Sequence, residues 1–491
     1  MLKKLGLAGI FCCLYTVAAM GGGEVLDPHG VVLDVEAVSR MSVAQSLGVS
    51  VYRTDALINR EETGIAEGRY DTQLSAGASY DRNEAPAASV FAPTRTDTTV
   101  VRGGLAKEFV TGTTLETSFT SNRTESDSSF VAVNPAYATD GRAVLNQPLL
   151  ENAFGFLDRS ELEKVRIDVR RFNFRTLRAI EDAVLEARRA AWRLRAAQEL
   201  LMIQKQGLKE AVFFYRVTRE KLTLGLLEKP DYYAARANIR SRINDVLLVA
   251  NEMRDAENEL KDQLSVPFEE RVGMASGGDP AVPEGAFEFW AGRAIASRAD
   301  HQDALLAIQS EDLAVRMTRN ALWPRLDLEA TLDLNGLDRE FDRSTEQALD
   351  GEDLTYSFSL MMDMPLENRA ERGRYRQAKY RKEKMLTELL RLERRIVKEV
   401  DAAYRAVRVA RERLNNADQI VDLQRRKLSA EMRRFHQGRS GSNVVIDYQR
   451  DLRLALDGRA RIESTYLQSL DTLKHAAGIL LEPYESAMGP A

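Results

Sequence analysis

The residue types that carry chemistry in most proteins are few in this chain and spaced poorly for it. The four histidines, His29, His301, His436 and His475, stand far apart, and none has a partner at metal-ligand spacing. His436 lies two residues before Gly438, where a helix C-terminus favours a cation, and that accounts for it without a catalytic role. There is no phosphate-binding glycine loop, no nucleophile elbow and no paired His-Glu motif. The chain is therefore read as a non-enzyme that needs no cofactor and no metal. Its carboxylates say more. Asp327, Glu329 and Asp333 alternate with Leu326, Leu328, Leu332 and Leu334, so a strand here would carry acid on one face and leucine on the other. With leucine against lipid, the acids become lumen-facing and wet the wall of a pore; the plainer alternative is a solvated face of an ordinary sheet.

Something long has to position those residues. Ile396, Val400, Ala403, Val407, Ala410, Leu414, Ala417 and Val421 follow one another at spacings of four and three, a coiled-coil seam with alanine at alternate places. The seam belongs to a proline-free run from Leu366 to Gln437, which as a helix would be ~108 Å long. A second such helix is expected from Asp158 to Leu224, opened by a Ser160-x-x-Glu163 capping box and bearing the seam Leu177, Ile180, Val184, Ala187, Ala191 and Leu194. Leu224-Gly225-Leu226 breaks the first helix and Gly438 the second, and returning helices are expected over 231–264 and 444–477. Further helix is expected over 32–66 and 286–322.

Between the helices the period changes to two. Leu74, Ala76, Ala78 and Tyr80 alternate with polar residues, and Thr98 to Val110 with Thr113 to Asn122 reads as a hairpin around Thr111-Gly112. Arg123 to Gly141 reads as an exposed loop. The clearest alternation is in Leu326 to Leu334 and Leu354 to Met364, segments of the length and pattern of transmembrane β-strands.

The N-terminus carries Lys3 and Lys4, an apolar run from Leu5 to Ala19 and then small residues, the pattern of a secretory signal peptide over 1–19. Both cysteines, Cys12 and Cys13, fall inside it, so no disulfide is expected downstream, and Phe11 before Cys12 argues against lipid attachment. No later stretch approaches the ~18 apolar residues of a membrane helix, which leaves an exported soluble protein or a β-barrel. Net charge is −5 with neither sign gathered in a block, so no nucleic-acid partner is expected.

Helix, strands, very long helix, glycine turn and returning helix occur twice in order, which makes an internal two-fold repeat the simplest organisation. The expected division is a first repeat over 24–285 (strands about 71–149, long helices about 158–264, belt about 265–285), a second over 286–480 (strands about 325–364, long helices about 366–477) and a short tail over 481–491. Four to six strands cannot close a barrel alone, whereas an oligomer could close both the strands and the narrow helical seams.

At these residues the chain resembles the TolC family of outer-membrane efflux and secretion ducts, over essentially all of its length after the leader. Gln147-Pro148-Leu149-Leu150 and Met364-Pro365-Leu366 match the strand-to-helix junctions, and Trp323-Pro324-Arg325-Leu326 a helix-to-strand junction. The two turns match as Leu224-Gly225-Leu226 followed by Asp231 and Ala235, and as Gly438-Arg439-Ser440 followed by Asp447, Gln449 and Leu452. The resemblance implies a mixed, mostly α fold: a homotrimer whose β-barrel crosses the outer membrane in contact with its lipid and continues as a long periplasmic α-helical barrel. It implies a passive duct that opens when an inner-membrane pump and its periplasmic adaptor dock. By the same resemblance Leu224, Gly225, Leu226, Gly438, Arg439 and Ser440 form the periplasmic tip that meets the adaptor, and Asp447 is the constriction carboxylate. The chain departs from the pattern six residues after the second turn glycine, where Val444 stands in place of an aspartate. Small-molecule efflux is the expected task. A type I protein secretion duct, and from another class a soluble exported coiled-coil scaffold with a small β-sandwich, are the alternatives.

Overall fold

The computed structural model describes residues 31–86, 92–275, 285–351 and 353–484. The expected signal peptide, both cysteines and parts of the belt and tail segments lie outside the described residues. The chain is mostly helical and forms two compact units, one from 57–172 with 303–390, the other from 173–302 with 391 onward and the residues up to 56. Among the described residues the strands are β1 (Val31–Leu33), β2 (Gln73–Asn83), β3 (Thr96–Glu108), β4 (Thr114–Ser126), β5 (Ala136–Pro148), β6 (Val272–Met274), β7 (Arg325–Asp338) and β8 (Leu354–Asp363).

The first unit is built on one six-stranded sheet of order β2-β3-β4-β5-β7-β8, every neighbouring pair antiparallel. Register carries the alternation of each strand into the next. Leu74 sits opposite Leu105, Leu115 opposite Leu145, Leu145 opposite Ala330, and Ala330 opposite Phe358, so the six strands turn most of their large apolar residues to one face. Within that face Lys107, opposite Leu115 at the turn end, is the one charge among the register partners of Leu326 to Leu334 on β7; Arg82, Asp97, Arg123, Glu125 and Asp338 stand at the long-loop end. There Asp97 accepts from Arg82, Arg95 and Tyr80. The opposite face of the strands bears eight carboxylates, Asp327, Glu329 and Asp333 among them, against the three arginines Arg102, Arg142 and Arg325. The edge strands β2 and β8 are exposed at every residue.

Tight junctions hold the sheet to its helices. Gly112 adopts φ +74 in the β3–β4 turn, and Gly155, at φ +74, lies so close to the backbone of Val110 and Thr111 that a Cβ there would collide with it. Leu149 and Glu151 donate their backbone N–H groups to Leu326 and Pro324, which ties the two Pro-containing junctions together. The helix after the first junction begins at Phe156, so Ser160 lies inside it and the expected capping box does not form; Asn152 instead accepts from the N–H of Leu157 and donates to Asp158. The expected loop over 123–141 is largely strand, the end of β4 and the start of β5. The acidic stretch between β7 and β8 holds a helix, Phe341–Asp350, whose Ser344 meets Thr139 and whose Ser344 and Ala348 backbone fits against Gly336.

The other unit is helical. Two 68-residue helices, Phe156–Thr223 and Arg369–His436, each ~102 Å by rise per residue, supply its long members, and Lys229–Leu264 and Ser442–Ala476 return beside them. The seam of the second long helix is buried from Ile396 and Val400 (both 0% exposed) to Val421, against Tyr466, Leu467, Leu470 and Leu473 of its return helix and Trp192 of the first long helix. Full burial of each such aliphatic side chain contributes about 1.5–3 kcal/mol. Val184, Ala187, Ala191 and Leu194 of the first seam are buried likewise. The expected helix over 32–66 is broken into β1, Val35–Gln45 and Leu47–Glu67. β1 pairs in parallel with β6, and the expected helix over 286–322 divides into Phe287–Ser297 and Ala299–Asn320.

One buried acid gives this unit a pH dependence. Glu181, 4% exposed on the same turn as Ile180 and Val184, has its carboxyl pushed up to about 7 by desolvation, with Arg178 at 3.4 Å only partly offsetting it. A carboxyl raised above its unfolded value near 4.5 binds its proton in the fold. Its stabilising contribution is then present below that value and lost as pH rises through about 7. Glu181→Gln is expected to flatten the decline in melting temperature across this window and to melt higher than the parent at alkaline pH. An unchanged profile would assign the decline to other groups.

Candidate functional site: two helix turns and the polar network behind them

Both turns end a long helix in the same way. Gly225 (φ +70) donates to Leu222 O at 3.0 Å while Leu226 N reaches back to Lys221 O at 2.9 Å. Gly438 (φ +73) donates to Phe435 O at 3.1 Å and Arg439 N to Arg434 O at 2.9 Å. These are Schellman caps, and the left-handed residue is glycine because a Cβ is disfavoured there. Neither glycine has an atom within 4 Å of where a Cβ would sit, so both turns face open space. Pro230 and Glu228 start the first return helix without a side-chain cap, and Gly441 does the same for the second. Leu224 and Leu226 are each 67% exposed, apolar side chains displayed beside Gly225; Arg439 is exposed and Ser440 half-buried beside Gly438.

The turns are pinned to each other. Lys221 Nζ donates to Phe435 O at 2.7 Å and to His436 O at 3.4 Å and lies 4.5 Å from the centre of the Phe435 ring. A lysine of the first long helix thus caps the end of the second, where the dipole favours a cation. Behind it Phe214 and Phe435, with ring centres 5.1 Å apart, pack with Ala235 and Val445, one apolar residue from each of the four long and return helices.

Asp447 is exposed and pairs with Arg450 at 3.2 Å, three residues along the same helix. It joins no buried network. The network lies one to two turns further along: Arg453 bonds Asp245 of the first return helix and Gln204 Oε1 of the first long helix at 3.0 Å, and Gln204 in turn donates to Asp457. Arg242 adds a second cation to Asp245 at 3.1 Å. Burial raises the Asp457 carboxyl, and burial together with the nearby Arg453 lowers Arg242. Three helices are therefore joined by groups that have lost much of their water. They flank a groove of about 640 Å³ whose walls include Met202, Gln206, Asp418, Asp422 and Leu456 from the long and return helices. Lys427, donating to Asp451 and lying 3.8 Å from the Tyr448 ring centre, links the second pair nearer the turn.

The sheet candidates also find partners. Asp333 accepts from Arg142 at 2.6 Å, Asp327 lies 3.0 Å from Arg325, and Glu329 stands in register between Asn146 and Ser359. All three share the charged face. Residue spacing alone had no signal for Asp245 or Arg453, which meet across more than two hundred positions of sequence. No group of residues suited to hold a metal ion is found among the described residues, and no described helix is long and apolar enough to cross a membrane.

The chain is similar to the solved structure of CusC (TM-score 0.68, 13% identity, 94% of this chain and 95% of that one). It is also similar to the CmeC outer membrane channel of Campylobacter jejuni (0.63, 16%, 91% and 86%) and to the open state of the MtrE outer membrane channel of Neisseria gonorrhoeae (0.65, 15%, 91% and 89%). No curated protein matches the chain. Residues 290–479 match the family of outer membrane efflux proteins.

Proposed function

We propose that the protein is one protomer of a homotrimeric export duct, passive and non-enzymatic, that carries small molecules from a periplasmic adaptor and inner-membrane pump across the outer membrane. The sheets form the membrane barrel, and the helices, arranged as two repeats, form the periplasmic tube. One observation carries the reading: a mainly apolar face, charged only near its two ends, runs across all six strands, opposite a face rich in carboxylates, with both sheet edges exposed. In water such a face is an aggregation hazard, whereas in lipid it is the required surface, provided the edges close. Exposed apolar residues on the helices, among them Val51, Ile58, Leu248, Val409 and Ile420, support the same need for neighbours.

In this duct Asp327, Glu329 and Asp333 line the barrel, and the turns at Leu224 to Leu226 and Gly438 to Ser440 are the adaptor-docking tip. Asp447 contributes a carboxylate to the entrance, while the Asp245–Arg453–Gln204 network holds the helix pairs closed. Opening is a relative movement of those pairs, which alanine seams allow because the backbones pass closely with little side chain to clear.

Detergent-extracted protein is expected to run as three chains and to give discrete single-channel conductance in planar bilayers. Partition into the aqueous phase as a monomer without detergent would overturn the reading in favour of an exported scaffold. Gly438→Trp is expected to abolish capture of the cognate adaptor while leaving the oligomer intact on size exclusion, because the turn sits in open space. Normal capture by that variant would remove the second turn from the docking surface.

A further inference from the structure

We propose that all six strands of each protomer lie in the membrane wall, so that three copies, pairing β8 of one with β2 of the next, close a barrel of eighteen strands. The proposal rests on the trimeric duct reading.

The hairpin β3–β4 is what decides the count. It is not appended to a four-stranded wall: it stands between β2 and β5, and β2 has no register with β5 at all. Pairing is unbroken through it, from Gln73↔Ala106 to Asn83↔Thr96 on one side and from Thr114↔Asn146 to Thr124↔Ala136 on the other. The apolar band is unbroken as well, since Leu105 lies between Leu74 and Thr117, and Phe119 between Gly103 and Gly141. A hairpin folded outside the wall would interrupt both.

The occupant of each free edge is a second copy of this chain. Five antiparallel steps separate β2 from β8, so the two edge strands run in opposite directions and β8 beside the next β2 keeps the wall antiparallel all round. They are 11 and 10 residues long. Neither contains proline, and their charges, Asp81, Arg82 and Asp363, sit at the ends, so the devices that normally blunt an edge are missing. Their outward side chains complement each other in size at mid-strand: Ala76 and Ala78 lie between Leu74 and Tyr80 on β2, while β8 carries Tyr356, Phe358, Leu360 and Met362. Large side chains of one edge can lie over the small residues of the other.

Barrel diameter grows with strand number, and about 16–18 strands is the range that leaves an aqueous channel in porins. The exit is then a wide, net acidic pore that does not sieve solute, and any size limit falls at the helix tip.

The test uses the full chain with Cys12 and Cys13 replaced by serine, carrying one environment-sensitive thiol dye at a time and reconstituted in vesicles. Phe119→Cys and Ser118→Cys report on β4, Leu332→Cys and Thr331→Cys on β7. Loss of fluorescence to a lipid-borne quencher at Phe119 and Leu332, and to aqueous iodide at Ser118 and Thr331, is the expected result. Alternation on β7 with both β4 positions open to iodide overturns the proposal and leaves the duct standing. No alternation on either strand removes the duct reading and the proposal together. Electron cryomicroscopy of the unlabelled oligomer gives an independent count in case a variant fails to fold: eighteen strands in the wall support the proposal, twelve overturn it.

Discussion

Arg453→Ala is expected to raise the resting conductance of the reconstituted channel, and by more than Asp447→Asn does. The two positions sit two helical turns apart but in different surroundings. Arg453, with a side chain 15% exposed, bonds Asp245 and Gln204 on two other helices, whereas Asp447 pairs only with exposed Arg450 on its own helix. Truncating one member of a desolvated, hydrogen-bonded charge pair costs about 2–5 kcal/mol, while an exposed pair three residues apart on a helix is worth about 0.2–0.5 kcal/mol. Even about 2 kcal/mol withdrawn from the closed arrangement shifts its ratio to the open one roughly thirtyfold. Asp245→Asn should act in the same direction, and high salt should mimic the Asp447 variant better than the Arg453 one, since exposed pairs are the more screened. Single-channel recording at low and high salt makes the comparison. Unchanged conductance in Arg453→Ala with an increase in Asp447→Asn would move the gate to the exposed carboxylate.

The second large effect concerns stability. Asp471 accepts from Arg188 at 2.7 Å and from Trp192 Nε1 at 2.6 Å, and Arg188 also donates to Ser39 at 2.9 Å, all of it nearly inaccessible to water. The cluster ties the N-terminal helix, the first long helix and the second return helix into one core. Asp471→Ala leaves a buried guanidinium and an indole N–H without their acceptor and is expected to cost about 3–5 kcal/mol. Asp471→Asn should cost less, because the amide oxygen still accepts one bond, and Arg188→Met with Asp471→Leu should recover much of the loss. Denaturant unfolding followed by tryptophan fluorescence reads all three. A loss in Asp471→Ala no larger than that of Arg426→Ala, whose partner Asp422 is exposed, would show that the cluster is not holding the core.

Periodic stretches were legible in the sequence to within a few residues. The seam from Ile396 to Val421 is the buried stripe of the second long helix, and the alternation from Leu326 and from Leu354 marks β7 and β8, because one buried or lipid-facing side repeats at the period of the backbone. The turn glycines were legible for the same kind of local reason, a left-handed residue that only glycine fills cheaply. β5 was not, since Ala136 to Gly141 offers alanine, glycine and threonine where the alternation needs contrast; its strand state comes from β4 and β7 on either side. The capping box misled because Ser160 and Glu163 have the right spacing while Asn152, in a left-handed turn upstream, already serves the helix start. The β1–β6 pair and the Asp245–Arg453 contact are long-range and leave no local pattern at all.

The uncharged span on β7, Leu326 to Gly336, has a further consequence. It covers ten residue steps, about 34 Å along the strand at ~3.4 Å each, and tilted by ~45° it stands about 24 Å high. That is thin beside a hydrocarbon core of ~30 Å, and each ångström of mismatch costs a fraction of a kcal/mol. For the proposed duct the height of that apolar row sets an address: a thinner membrane matches it with less strain than a thicker one.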